Sequence, residues 1–356
     1  MKINQEDLAQ RLGISRTTVS RSFSNHPAIN PETRARVLAL AEELGYRYAV
    51  PRSGRARERL RTTTVGVLIG TPKHYSETAM TSQAMLRGIS ERAATDRISL
   101  DVTYVDPARL DLSERNCRLL QRIRAGHWNG AILIYPFERE AVGILAKRLM
   151  AVSVIEDYGE FGIDCIDTDQ AAGIHSLVQH LNSIGHRRIG FLTWRYGIET
   201  PWAYRRFGAY AESLLRQDLT YSPEWAINIR PSDRCGEVEA AERVARLVRE
   251  KGVTAWVCAA DHQAYHLISA LEKYGLRVPE DCSVTGFDGI ARPSGSPVLT
   301  TVIVPYEDMG GSAVIRLRGR IEHPSAPRRH NLVSGRVLIG QTSAPPTRLR
   351  TASSRG

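Results

Sequence analysis

Apolar residues in the first 45 positions recur at helical spacing. They predict two short helices joined by a tight turn at 13–15, and a third helix that starts after Asn30. Asn30 suits the cap position, Pro31 suits the first turn, and Gly45 is a stop signal. The side chains expected to form the shared apolar seam are Leu8, Ala9, Leu12, Ile14, Val19, Phe23, Val37, Leu40, Ala41 and Leu44.

The pattern changes after residue 62, where buried runs alternate with amphipathic helices. The first block has predicted strands at 65–69, 100–105, 130–134 and 152–155, with helices at 83–94 and 117–123. The second has helices at 173–184, 205–215, 237–250 and 263–274, with strands at 188–192, 255–258 and 283–287. This alternation predicts two doubly wound parallel-sheet lobes with a ligand cleft at the strand carboxyl ends.

The chain therefore divides into four predicted regions. A small all-α head spans 1–45, a linker 46–62, a two-lobed α/β core 63–345, and a disordered tail 346–356. The linker is rich in Arg and poor in apolar residues, so it cannot bury a core of its own.

Positive charge is concentrated at the two ends of the chain, whose net charge is +10. Residues 1–61 hold twelve Arg and Lys against six Asp and Glu, and residues 328–356 hold six Arg and no acid. A basic head fits contacts to DNA phosphates, which supply affinity without sequence choice. The basic tail is expected to be a solvated end.

Composition narrows the class of protein further. The 356-residue chain has no apolar run near the ~20 residues needed to cross a bilayer, and its N-terminus lacks the apolar stretch of a signal peptide. We therefore expect a cytoplasmic protein without a membrane partner. The five cysteines are widely spaced and odd in number, which favours reduced, mostly buried thiols over disulfides or a zinc site.

Polar side chains face outward from the second predicted helix. They are Arg16, Thr17, Thr18, Ser20, Arg21 and Asn25. A helix pair with such a face is typical of a helix-turn-helix, whose second helix reads base edges in the DNA major groove. The alternative is a hairpin that serves only packing.

Several motifs together resemble the LacI/GalR family of transcription regulators. They are Gly-Ile-Ser-x-x-Thr-Val-Ser-Arg at 13–21, Leu-Gly-Tyr at 44–46, and the core segments 169–173, 180–190, 205–210, 283–288 and 299–302. The resemblance covers about 1–345. It implies a core similar to periplasmic sugar-binding proteins, and a repressor controlled by a small effector, a sugar or sugar derivative, bound between the lobes. One head buries too little surface for high specificity, so a homodimer on a near-palindromic double-stranded DNA operator is expected.

The resemblance also assigns roles in the head. It makes Arg16, Thr17 and Arg21 base-reading residues, and it makes Ser15 the helix cap and a phosphate contact. The remaining candidate phosphate contacts are Thr18, Ser20 and Asn25. For each residue the alternative is a solvated polar side chain.

The linker departs from the family pattern. Tyr48 and Ala49 stand where a Pro-Asn pair is usual, and no Leu has the spacing of the usual minor-groove wedge. The candidates for a narrow minor groove are instead Arg55, Arg57 and Arg59. A flexible linker bound only to phosphates is the equal alternative.

In the core the resemblance points to two effector-binding residues. Arg205, three positions before Gly208, matches the family's effector-binding Arg, and Asp288 matches its Asp at a strand carboxyl end. For both, the alternative is a surface ion pair.

Three further candidates are weaker. Asp157, or its neighbour Glu156, ends a strand; Asp261 follows an Ala where the family has Asn. Asp261 is equally suited to capping the next helix. Trp202 is placed to stack on a sugar ring, with a core or rim position as the alternative.

Other classes of protein fit less well. A transport-type sugar-binding protein would lack the head, whereas a regulator with a purine-type effector remains an alternative. The sequence has no Gly-x-Gly-x-x-Gly loop, no Walker-type loop and no Gly-x-Ser-x-Gly elbow. We therefore expect no enzyme activity, no cofactor, no metal and no catalytic residue.

Overall fold

The computed structural model describes residues 4–23, 29–44, 46, 63–70, 78–107, 110, 112, 117–196 and 199–347. By their contacts the residues separate into two compact units, Met1–Arg61 and Thr62–Gly356. The candidate minor-groove residues Arg55, Arg57 and Arg59, and the candidate phosphate contact Asn25, lie outside the described residues.

The first unit contains the three expected helices, α1 Gln5–Leu12, α2 Arg16–Phe23 and α3 Pro31–Glu43. Asn4 and Asp7 form a capping box at the start of α1, and Gly13 ends that helix in the left-handed region, at φ +66°. Asn30 accepts a hydrogen bond from the Glu32 backbone, as its predicted cap role requires. The predicted seam forms the core of this unit, with Leu8, Ala9, Val19, Val37 and Ala41 buried.

The second unit contains two six-stranded sheets. The first sheet has the order β11-β5-β4-β3-β1-β2 and is parallel throughout. Its elements are β1 Thr64–Gly70, α4 Thr78–Thr95, β2 Ser99–Val105, α5 Arg118–Arg124, β3 Gly130–Ile134, α6 Arg139–Ala146, β4 Ala151–Val154, β5 Asp164–Thr168, α11 Tyr306–Glu322 and β11 His330–Val333.

The second sheet has the order β12-β10-β9-β8-β6-β7, and only the β10–β12 pair is antiparallel. Its elements are α7 Gln170–Ser183, β6 Ile189–Leu192, α8 Pro201–Arg216, β7 Ala226–Ile227, α9 Glu237–Lys251, β8 Ala255–Cys258, α10 Asp261–Lys273, β9 Ser283–Asp288, β10 Thr300–Ile303 and β12 Arg336–Leu338. The two sheets define two lobes, as the sequence predicted.

The last part of the chain returns to the first lobe, a feature the sequence pattern did not predict. After β10 the chain crosses back, so that α11 packs on α4 and β11 extends the first sheet. A Cβ on Gly88 or Gly310 would collide with the backbone of the facing helix, so glycine is required for this close helix contact. The chain passes between the lobes three times, after β5, β10 and β11.

Two further sequence expectations concern burial. Four of the five cysteines are buried thiols, and Cys117 is half-buried. Of the predicted tail the structure describes only residues 346 and 347, and the Thr347 hydroxyl donates to the Glu280 carbonyl. Within the described parts of the chain, no helix has the length and apolar character needed to span a bilayer.

Candidate DNA-reading surface and interlobe cleft

The outward face of α2 carries the predicted base-reading side chains. Arg16, Thr17 and Arg21 are exposed. Arg16 lies 3.7 Å from Glu6 across the turn, but both side chains are about 70% exposed, so this ion pair is weak. The surface therefore presents two guanidinium groups and a hydroxyl, the groups that hydrogen-bond base edges in the major groove.

Ser15 is the cap of α2. Its Oγ accepts a hydrogen bond from the Thr18 backbone at 3.1 Å and also pairs with the Thr18 hydroxyl at 2.9 Å. Ser20 is half-buried on the same helix. Ser15 and Thr18 thus fix the start of α2, where backbone N–H groups can also meet a phosphate.

A cavity of about 80 Å³ lies between the two lobes of the core. It is built where strands end: Tyr135 follows β3, Ile155 follows β4, and Asp288 ends β9. Carboxyl ends of parallel strands are the usual ligand-binding edge of such sheets. The other side chains that line it include Thr81, Tyr196, Thr200, Trp202, Arg206, His262 and Tyr306.

Arg206 is the cation of this cavity. It is 4% exposed and lies between two aromatic rings, with its guanidinium carbon 3.8 Å from the Phe287 centroid and 4.8 Å from that of Trp202. Nε donates to Gln170 at 3.0 Å, and Nη1 donates to Asp288 at 3.3 Å. These contacts hold the guanidinium plane rigidly at the cavity wall.

Asp288 is the facing anion. Its Oδ1 accepts hydrogen bonds from Arg206 and, at 2.8 Å, from the Tyr306 hydroxyl. Burial raises the pKa of this carboxyl, and the Arg206 charge opposes that rise. An ion pair with free hydrogen-bonding capacity in an aromatic-walled cavity suits a ligand with several hydroxyl groups.

Backbone strain is concentrated at the same place. Asp288, Tyr135 and Ile155 have φ values of +136°, +72° and +78°, a region that L residues rarely adopt. Each such residue costs about 1–3 kcal/mol and is found mainly where function requires it. Three strained strand ends around one cavity make it the strongest candidate for the functional site of the core.

Arg205, the predicted effector-binding Arg, lies elsewhere. Its guanidinium donates to the Ile155 carbonyl at 3.0 Å and to Glu156 at 3.2 Å, and lies 3.6 Å from Asp167. Arg206 takes the expected place because successive helical residues point about 100° apart. The structure therefore places Arg206, not Arg205, at the cavity wall, and the effector role of Arg205 stays a prediction.

Asp261 also differs from expectation, because it does not line the cavity. It is buried beneath the loop after β9, where Oδ2 accepts from the Gly289 and Ile290 backbones at 2.7 and 2.9 Å. Burial, followed by the Asp288 charge, raises the pKa of Asp261 to about 7. Asp261 therefore holds the loop that carries Asp288 and does not cap the helix with a side-chain hydrogen bond.

Asp157 is the third candidate that lies outside the cavity. It forms an ion pair with Arg328 and lies 3.5 Å from His330 at the edge of the first sheet. The position of Asp157 along the chain explains why it misses the cavity. Ile155 lines the cavity, whereas Asp157 comes two residues later in the chain, toward β11. Trp202, in contrast, lines the cavity and lies edge-on to Tyr196, with ring centroids 5.7 Å apart.

The cavity residues that sequence reasoning missed include Tyr135, Tyr196, His262 and Tyr306, besides Arg206. Burial lowers the pKa of His262 to about 4, and its Nε2 lies 3.0 Å from the Tyr196 hydroxyl. Tyr135 directly follows the predicted strand 130–134, and His262 follows the predicted strand 255–258 after a short loop. Their position after a strand end was the signal that could have identified them as cavity residues. Tyr306 belongs to the crossover that the pattern did not reveal.

Comparisons with known proteins place both units. Residues 5–48 match the family described as bacterial regulatory proteins of the lacI family, and residues 178–343 match the periplasmic binding protein-like domain. The HTH-type transcriptional repressor PurR of Haemophilus influenzae is 28% identical over 327 residues, which cover 89% of this chain and 91% of the relative.

Solved structures agree in fold. The complex of the transcriptional regulator CelR with cellobiose has a TM-score of 0.66 at 21% identity, covering 96% of this chain and 100% of that one. The lac repressor dimer bound to operator and the anti-inducer ONPF has a TM-score of 0.64 at 21% identity, covering 97% and 100%. The chain thus combines a head that matches the lacI family of bacterial regulatory proteins with a core segment that matches the periplasmic binding protein-like domain.

Proposed function

We propose that this protein is a transcriptional repressor that binds a near-palindromic operator as a homodimer and responds to a small effector in the interlobe cleft. The lac repressor neighbour is a dimer on operator DNA, and the CelR neighbour holds a sugar. The observation that carries the proposal is that one chain has both an exposed face of Arg16, Thr17 and Arg21 and a strained cavity around Asp288.

The head supplies DNA recognition. Arg16 and Arg21 suit bidentate contacts to guanine, Thr17 suits a further base contact, and Ser15, Thr18 and Ser20 suit phosphates that fix register. Asn25 and the linker Arg55, Arg57 and Arg59 keep the DNA-contact roles expected from the sequence. The proposed regions are the head 1–45, the linker 46–62 and the core 63–345.

The cleft supplies regulation. The cavity of about 80 Å³ is smaller than the ~300–1,000 Å³ pockets that hold drug-sized ligands, so the lobes must separate to admit a sugar. A ligand that binds one lobe arrangement better than the other shifts the population between them, and so the spacing of paired heads. The cleft binds its ligand without converting it, and the protein acts in the cytoplasm where the DNA is.

The test starts with selection of DNA from a random library by the full-length protein, which should enrich a near-palindromic site. Operator affinity is then measured by fluorescence anisotropy against sugars, sugar phosphates, polyols and purines. We expect one class of ligand to change operator affinity in wild type. Asp288→Asn should abolish the response, whereas Asp218→Asn, at an exposed turn with φ +52° that Asn tolerates, should not.

Two outcomes contradict parts of the proposal. A cleft ligand that leaves operator affinity unchanged would disprove coupling. A response confined to purines would replace the sugar by a planar base stacked on the aromatic wall.

A further inference from the structure

A second chamber adjoins the central cavity, and its lining includes Glu156, which the sequence offered as the alternative to Asp157. It has a volume of about 40 Å³, and Pro136 lines both spaces. The two spaces also meet at consecutive residues, since Thr200 lines the cavity and Pro201 lines the chamber. A ligand in the cleft therefore lies next to this chamber.

Glu156 forms the floor of the chamber and is 2% exposed. Its Oε1 accepts a hydrogen bond from Arg205 at 3.2 Å, whereas its Oε2 is buried and has no hydrogen-bond partner among the residues described. A buried carboxylate oxygen without a donor costs about 1–3 kcal/mol or more. Such an atom at the edge of a binding cleft points to a missing donor.

The remaining charges make the chamber acidic. Glu138 and Glu199 also line it, both are exposed, and neither forms an ion pair within the described part of the chain. The cations at the chamber are already engaged: Arg139, which also lines it, binds Glu160 and lies over the Tyr158 ring, and Arg205 is shared between Glu156 and Asp167. The uncompensated charge is negative.

We propose that this acidic chamber, formed by Glu138, Glu156, Tyr158 and Glu199, binds a protonated primary amine carried by the effector. The inference rests on the proposed effector cleft, because the amine must belong to a ligand that also fills the cleft. An ammonium group is compact and presents three donors, and a cavity needs only ~10–15 Å³ to hold a group the size of water. The substrate class is thus an amino sugar, not a neutral sugar.

The first test uses the chamber alone. Full-length protein is melted in 100 mM methylammonium chloride and in KCl at the same concentration. We expect methylammonium to raise the Tm of wild type by about 1–2 °C relative to KCl. The rise should vanish in Glu156→Gln, whose amide oxygen still accepts from Arg205, and persist in Asp157→Asn, which removes the neighbouring carboxylate outside the chamber. Equal Tm values in both salts for wild type would mean a chamber that holds only water and would overturn the inference.

The second test compares matched sugars by calorimetry. Glucosamine should bind about tenfold tighter than glucose and N-acetylglucosamine, equivalent to about 1.4 kcal/mol. That preference should disappear in Glu156→Gln and weaken in Glu199→Gln, an exposed change that spares folding. Equal binding of glucose and glucosamine would overturn the amine inference and leave the effector cleft standing. If no sugar binds, the methylammonium result decides whether the chamber binds an amine, and the measurement of operator affinity against the ligand panel separately decides whether the cleft binds an effector.

Discussion

At the scale of single residues, Asp288 links backbone strain to ligand recognition. It ends β9 with φ +136°, and its carboxylate accepts from both Arg206 and Tyr306. Arg206 and Tyr306 come from different lobes, α8 and α11. The carboxylate is therefore a shared acceptor at the lobe boundary, and a ligand that competes for it changes contacts in both lobes at once.

Arg16 should determine base choice more than overall affinity. A well-placed Arg–guanine contact gives about 1–3 kcal/mol of discrimination. Arg16→Ala should therefore weaken binding by roughly 5- to 150-fold per half-site and relax preference at one position of each half-site. Anisotropy titrations against operator and scrambled DNA measure this.

The matched control is Arg11→Ala, an exposed Arg on α1. It should weaken operator and scrambled DNA alike, if at all. An Arg16→Ala protein that loses equal affinity for both DNAs would place Arg16 on a phosphate.

His186 should make the core sensitive to acid. It is buried with hydrogen bonds to Thr254, Ser283 and the Ala344 carbonyl, and burial lowers its pKa to about 4. Since the unfolded pKa is about 6.5, the unfolded chain binds more protons between pH 6.5 and 4. The stabilisation of the folded core by neutral His186 is complete above pH 6.5 and is lost as pH falls toward 4.

Urea unfolding of wild type and His186→Gln measures the effect. The difference in unfolding free energy between them should shrink by about 2 kcal/mol from pH 6.5 to pH 4.5. The comparison between variants is needed because Asp261 has the opposite effect. Its pKa is raised to about 7, so its contribution to the stability of the fold falls as pH rises. A difference that does not vary with pH would contradict a neutral, buried His186.

At the scale of elements, two consecutive Arg residues of α8 have different roles. Arg206 lines the cleft, while Arg205 binds the first lobe through the Ile155 carbonyl and Glu156. Arg205 therefore fastens a helix of the second lobe to a strand end of the first.

Arg205→Ala should lower the unfolding free energy of the core by about 2 kcal/mol without any ligand. Removing one partner of a buried pair leaves the other charge unpaired, at about 3–5 kcal/mol, and the 32% exposure of Arg205 reduces that figure. Arg216→Ala, on the same helix with a 70% exposed side chain paired to Glu212, is the control and should cost under about 1 kcal/mol. Equal costs in urea unfolding would disprove the interlobe contact.

At the scale of the whole molecule, charge should govern DNA affinity. The net charge of residues 1–61 is positive, and two such heads would displace many condensed counterions. For a dimer making about six to ten phosphate contacts, operator affinity should fall about 10³- to 10⁵-fold between 50 and 200 mM salt.

Anisotropy over this range measures the slope of log affinity against log salt concentration. Sedimentation of the complex measures the number of protomers per duplex. Two protomers per operator duplex are expected. A slope that corresponds to only two or three contacts, or one protomer per duplex, would contradict the paired-head arrangement.

The sequence by itself determined the helical head and most of the sheet. Local signals are sufficient there: Asn30 and Gly13 lie at helix ends as expected, and the short apolar run 130–134 is a buried strand. It did not reveal β5, whose two Asp residues interrupt the apolar pattern because Asp164 is paired with Arg316 in the fold.

The cleft was decided by tertiary structure. Sequence placed an Arg on α8 and an Asp after β9, but whether Arg205 or Arg206 faces the cavity depends on helix rotation, which packing on the sheets fixes. The return of α11 to the first lobe brings Tyr306 to Asp288 across 18 residues of chain. Contacts of this kind leave no local periodicity, since the residues that meet are selected by chain crossings between the lobes and not by their neighbours in sequence.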